Sequence, residues 1–110
     1  MNAPLPGQVL VAITSPPSLE SQLVDWLLSQ DGGTGFSSAT VHGHSTHHDH
    51  LSIAEQVSGH QKRVQFQVQI SGSHLARFLD MLECDFAGAD LHYWVTPVLA
   101  GGHLSAGADH

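Results

Sequence analysis

The chain has few charged residues, and basic ones are the scarcest. Lysine and arginine total three against ten aspartates and glutamates, which gives a formal net charge of −7 with histidine neutral. An acidic surface repels nucleic acid and anionic membranes, because both carry negative charge. We therefore expect neither of them to be a partner.

Cysteine and long apolar runs are also scarce. The one cysteine, Cys84, cannot form a disulfide within the chain, so nothing points to an oxidising compartment. It lies beside an apolar helical stripe, and we expect it to be a packing residue. No apolar run approaches the ~20 residues that span a bilayer, and no basic-then-apolar segment opens the chain. These absences predict a cytoplasmic protein without membrane insertion.

The apolar pattern predicts an α+β fold in the order β-α-β-β-α-β. In the clearest strand, 62–71, four apolar residues alternate with polar ones. Three weaker strands are predicted at 8–14, 36–44 and 91–99. Two helices are expected to be capped by Ser15 and Ser71. The stripe of the second helix contains Leu75, Phe78, Leu79, Leu82 and Phe86.

These elements fit a ferredoxin-like arrangement. Right-handed crossovers place both helices on one face of a four-stranded antiparallel sheet with the strand order 4-1-3-2. Pro97 cannot donate a ladder hydrogen bond, which favours a sheet edge for the last strand. We expect residues 1–99 to form a single domain and 100–110 to form a flexible tail.

The other face of this sheet is predicted to be partly apolar. It carries three glutamines of the third strand, together with either Leu10 and Ala12 or the set of Val9, Val11 and Ile13. Such a face can be solvated, but its apolar content favours packing against other subunits.

Four stretches resemble the PII-like signalling superfamily, in particular its short uncharacterised members encoded beside heavy-metal efflux pumps of the resistance-nodulation-division type. These stretches are 35–45, 51–59, 61–66 and 91–95. The resemblance implies a homotrimer and a flexible loop at 43–61 that senses ligands and contacts partners. This loop lacks the tyrosine of PII proteins, because Tyr93 is the only tyrosine, and the chain lacks their arginine- and lysine-rich nucleotide cleft.

Histidines concentrate in and beside this loop. The cluster contains His42, His44, His47, His48, His50 and His60, with Asp49 among them. Imidazole is a suitable ligand for Zn(II), Cu(II), Ni(II) and Co(II). His42 and His44 are two apart in a predicted strand, so they point to one side, ~7 Å apart. We expect them to share a transition metal ion over which the loop histidines close, with Asp49 as a ligand or an orienting partner. The alternative is a polar loop without a metal.

A second candidate site lies at the base of the loop. Lys62 and Arg63, with backbone N–H groups near Gly59, provide positive charge for a nucleotide or another anion in a cleft between subunits. The alternative is a surface charge pair. The chain has no nucleophile elbow, paired-carboxylate signature or P-loop. We therefore expect a regulator rather than an enzyme. The resemblance to PII-like proteins that are encoded beside efflux pumps implies that this regulator is linked to heavy-metal resistance and signals to an efflux pump or another protein partner.

Overall fold

The computed structural model describes residues 7–30, 35–44 and 61–105, which contain four strands and two α-helices. The strands are β1 (Gln8–Ser15), β2 (Phe36–Gly43), β3 (Gln61–Ser71) and β4 (His92–Pro97). The helices are α1 (Glu20–Leu28) and α2 (Leu75–Asp85). Each helix is preceded by a 3-10 turn, formed by Pro17–Leu19 or by Gly72–His74. The described part of the chain therefore has the predicted α+β class.

The four strands form one antiparallel sheet in the order β2-β3-β1-β4. Counted from the β4 edge, this order reads 4-1-3-2. Pro97 is the last residue of β4, which is an edge strand of this sheet, as its missing N–H predicts. Two further backbone bonds lie near the start of β1. The N–H of Gly72 donates to Gly7 over 3.2 Å, and that of Val98 donates to Gln8 over 3.1 Å.

The core lies between one sheet face and both helices. Its fully packed members are Val9, Val11, Ile13, Leu23, Leu27, Val64, Phe66, Val68, Ile70, Phe78 and Leu82. Val11 lies opposite Val68, and Ile13 lies opposite Phe66, so the odd-numbered residues of β1 face the helices. Leu10 and Ala12 consequently lie on the other face, which answers the question that the sequence left open. We call this second surface the open face.

The two helix starts are built differently. Ser71 accepts a hydrogen bond from the N–H of Ser73 over 3.3 Å and so caps the 3-10 turn that leads into α2, whereas His74, at the N-cap of α2 itself, forms no side-chain cap bond. The prediction that Ser15 caps the first helix is wrong. Ser15 ends β1 and its hydroxyl donates to the carbonyl of Pro16. Pro16 is extended, with φ −60° and ψ 147°, because a residue that precedes a proline avoids helical geometry.

Trp26 connects the two helices. Its indole Nε1 donates to Asp85 Oδ2 over 2.7 Å. Its ring packs edge-to-face with Phe78 and with Phe86, at centroid distances of 5.4 and 5.7 Å. Cys84 is exposed, so its predicted packing role is wrong. A residue two positions after buried Leu82 lies about 200° around the helix from it, outside the apolar stripe.

Candidate functional site

The predicted metal ligands lie where β2 ends. His42 is the second-to-last residue of this strand and pairs with Lys62 of β3. His44 follows the strand by one residue, and both histidines are exposed. Strand pairing therefore fixes the backbone of His42, while His44 lies just beyond the last paired residue, Gly43.

The sheet register tells which face His42 shares. Phe36 pairs with Val68 and Thr40 pairs with Val64, so the even-numbered residues of β2 lie on the helix side of the sheet. His42 has the same parity and lies on that side, beyond the end of the apolar core. Ala39 and Val41 alternate with this set and lie on the open face.

The other predicted ligands lie outside the described residues. They are His47, His48, Asp49, His50 and His60, and Gly59 of the alternative anion site lies there too. Ser52 and Glu55 match a capping box, which predicts a short helical turn at 52–57, and this prediction also lies outside the described residues. Within 7–30, 35–44 and 61–105, the side chains of His, Cys, Asp and Glu do not form a group of three or more that could hold a metal ion.

The side chains of Lys62 and Arg63 lie on opposite faces of the sheet. Neighbouring strand residues point to opposite faces; Lys62 pairs with His42 and Arg63 pairs with Val41. The Arg63 side chain is only 13% exposed. Its Nη2 donates to Asp90 Oδ2 over 3.0 Å and to Gln61 Oε1 over 2.7 Å. The carboxylate of Asp90 thus already balances the guanidinium charge that was predicted to hold an anion.

Asp90 also approaches His92, which follows at the start of β4. Asp90 Oδ1 lies 3.5 Å from His92 Nε2. Thr14 pairs with both Gln65 and His92 across the sheet, and its Oγ1 is buried without a hydrogen-bond partner in the described part of the chain. A polar cluster therefore occupies one end of the open face, with Asp90 between an arginine and a histidine.

Sequence reasoning missed Asp90. This residue lies in the connection after Gly88, whose φ of +83° suits glycine, and its partner Arg63 is far away in the sequence. Only the pairing of β1 with both β3 and β4 brings the two side chains together. Because the chain has far more acidic than basic residues, its sequence indicates that Arg63 pairs with a carboxylate. It does not indicate which carboxylate.

The centre of the open face is less polar. Trp94 is 51% exposed there, on the same side as His92, as their spacing predicts. Ala12 lies between Trp94 and Gln67 in the cross-strand row, and it is buried. This surface is accordingly a mixture of an aromatic ring, small apolar groups and glutamine amides.

Neither described helix is long and apolar enough to cross a bilayer. No curated protein matches the chain. Its fold is similar to the crystal structure of a DUF3240 family protein from Shewanella baltica, with a TM-score of 0.73 and 20% sequence identity. That alignment covers 90% of this chain and 98% of the other. A family model described as "Protein of unknown function (DUF3240)" matches residues 6–105. Because this match spans nearly the whole chain, the protein belongs to the DUF3240 family.

Proposed function

We propose that this protein is a cytoplasmic regulator that responds to a transition metal, is linked to heavy-metal resistance and signals to a partner protein. The observation that carries this proposal is the placement of His42 and His44. Two exposed imidazoles lie at the end of β2, directly before a segment, 45–60, whose sequence holds four more histidines and Asp49. Imidazoles gathered in this way suit Cu(II), Zn(II), Ni(II) or Co(II).

The proposed mechanism is a shift between arrangements of the segment 45–60. A metal ion that is held by His42, His44 and ligands from this segment stabilises the arrangement that supplies those ligands, because a ligand favours the state that binds it better. A protein partner such as an efflux pump then recognises that arrangement. The mechanism contains binding steps only, and no catalytic residue is proposed.

The proposal extends to the assembly. The order β-α-β-β-α-β, with both helices packed on one face of an antiparallel sheet, supports a ferredoxin-like, PII-like subunit. Trp94 and Leu10 give the open face apolar surface that a second copy of the chain can cover. We propose a homotrimer whose open faces surround a common axis.

The competing function, a nucleotide or other anion bound by Gly59, Lys62 and Arg63, has weaker support. The guanidinium of Arg63 already has the carboxylate of Asp90 at 3.0 Å, and Lys62 lies on the opposite side of the sheet. A triphosphate needs several free donors, so one exposed lysine is a poor basis for such a site.

Calorimetry of metal-free protein separates these two functions. We expect saturable binding of at least one of Zn(II), Cu(II), Ni(II) and Co(II), and no binding of ATP. The affinity for the metal should be lower at about pH 5.5 than at about pH 7.5, because protons compete for the imidazole lone pairs. Binding of ATP by protein that takes up no metal would favour the anion site, and metal binding that does not change with pH would exclude imidazole as the main ligand.

A pair of double variants tests which histidines matter most. The backbone of His42 is fixed by strand pairing, so it loses little conformational entropy on binding, whereas ordering a loop residue costs ~1–2 kcal/mol. Replacement of His42 and His44 by alanine should therefore weaken metal binding more than replacement of His47 and His48.

The matched control replaces His74 and His103, two exposed histidines elsewhere in the chain, and it should leave the affinity unchanged. If this control weakens binding as much as the loss of His42 and His44, the metal is bound without regard to the cluster. If the His47 and His48 variant is the weaker binder, the segment builds the site and the strand does not anchor it.

A further inference from the structure

A cavity lies between the helix layer and the sheet, away from the histidines at the end of β2. The cavity is partly open to solvent, and its volume is about 150 Å³, which is room for several water molecules at ~30 Å³ each in the liquid. The apolar part of its wall consists of Leu27, Phe36, Val68, Ile70, Phe78 and Met81. Surface that is left unpacked in this way lowers stability unless another molecule fills it.

Polar side chains line the rest of the cavity. Two of them belong to the end of α1: the hydroxyl of Ser29 and the amide of Gln30 donate to the carbonyl of Trp26, over 2.7 and 3.0 Å. The other two, His74 and Arg77, belong to the start of α2. The donors of Ser29 and Gln30 are thus already used, while Arg77 has no carboxylate partner in the part of the chain that the structure describes.

The charges at the start of α2 are unusual for a helix. The N-terminal end of a helix is electropositive and normally attracts acidic residues. The first turn of α1 has Glu20, but that of α2 has no acidic residue; instead, His74 and Arg77 are there. The guanidinium of Arg77 pairs with none of the described carboxylates and lies beside an electropositive helix end, so an anion is favoured there.

We propose that this cavity binds a small monocarboxylate whose apolar body is about the size of a benzene ring. An apolar cavity of comparable volume holds benzene, so the ring fits against Phe78 and Met81 while the carboxylate reaches Arg77. The guanidinium presents paired N–H donors that match a carboxylate. This site is separate from the proposed metal site and uses none of its residues.

Benzoate is the probe for the test, and Met81 is the reporter. The chain has two methionines, Met1 and Met81, so protein labelled with ¹³C at the methionine methyl groups gives a spectrum that is simple to assign. Titration of metal-free protein with benzoate should shift the Met81 methyl signal in a saturable way, because the aromatic ring lies beside it. No shift of the Met81 signal would overturn the proposal.

Two comparisons test the role of the charge. Benzamide has the same ring without the negative charge, and it should bind about tenfold or more weakly than benzoate; Arg77→Gln should weaken benzoate binding by a similar factor. Arg77 is exposed, so this variant retains the core. Lys62→Gln removes the same unit of charge on β3 and should leave the benzoate affinity unchanged. Equal binding of benzamide, or equal losses in both variants, would show that Arg77 does not recognise the carboxylate.

Discussion

The two tryptophans lie in opposite environments on the two sides of the sheet. Trp26, in the helix layer, has a carboxylate on its indole nitrogen and two phenylalanine rings against its own ring. Trp94, on the open face, is 51% exposed and has neither a hydrogen bond nor a ring contact among the described residues. The tryptophan on the helix side is therefore packed within the chain, while the open face presents a large aromatic group to its surroundings.

This difference separates stability from association. Burial of apolar surface stabilises a fold roughly in proportion to the area removed from water, and the helix side already has that burial. An exposed ring in a partly apolar surface gains the same free energy only when another molecule covers it. The helix layer should therefore determine the free energy of unfolding of the subunit, and the open face should determine its assembly.

The largest expected effect comes from the helix side of the sheet. Phe66 is 0% exposed at the centre of the core, and Phe66→Ala should lower the free energy of unfolding by ~3–5 kcal/mol, since it leaves a cavity. Urea denaturation followed by circular dichroism measures this loss. Trp94→Ala, tested at a concentration where the protein is monomeric, should cost less than ~1 kcal/mol; equal losses would abolish the distinction between the two sides.

A moderate effect is expected at the junction of the helices. Trp26→Phe keeps an aromatic ring but removes the N–H that donates to Asp85, so the free energy of unfolding should fall by ~1–2 kcal/mol. Asp85→Asn keeps an acceptor and should cost less. The double variant should be no less stable than Trp26→Phe, because the tryptophan substitution already removes the bond. Additive losses would show that the two side chains do not act together.

The smallest effect on the free energy of unfolding is expected on the open face. A substitution there should instead change the oligomeric state strongly. Trp94→Ser removes the exposed ring, and the proposed trimer should then dissociate at lower protein concentrations than the unchanged protein does. Sedimentation equilibrium gives the mass of each. Leu99→Ser is the matched control, since Leu99 is 96% exposed and lies beyond β4. If the protein without substitutions is monomeric at micromolar concentration, the proposal of a trimer is wrong.

The sequence predicts best those elements in which apolar residues recur at regular spacing along the whole strand or helix. The alternation in β3 and the stripe of α2 predict both elements, and Phe78 and Leu82 of that stripe are buried in the core. The same period would have placed Cys84 on the exposed side of α2, had it been applied to that residue. The start of α1 was harder, because Ser15 is a good capping residue and only the effect of Pro17 on Pro16 decides against it.

Charge partners were less predictable than elements. Arg63 and Asp90 meet because β1 pairs with β3 on one side and with β4 on the other, and no local pattern contains that information. The same holds for the cavity beside Arg77, since its wall combines residues of both helices and two strands. The candidate metal site is an intermediate case: the composition identifies the histidines, and the structure describes only His42 and His44 among them.

The position of β1 between β3 and β4 also has a consequence for how the chain folds during synthesis. Its neighbour β4 is the last of the described strands to be made, after β2 and β3. Until β4 leaves the ribosome, one edge of an apolar strand has no partner, although β3 can already protect the other. Pairing between distant segments slows folding and prolongs the exposure of strand edges. The nascent protein should therefore be most prone to aggregation just before β4 is released.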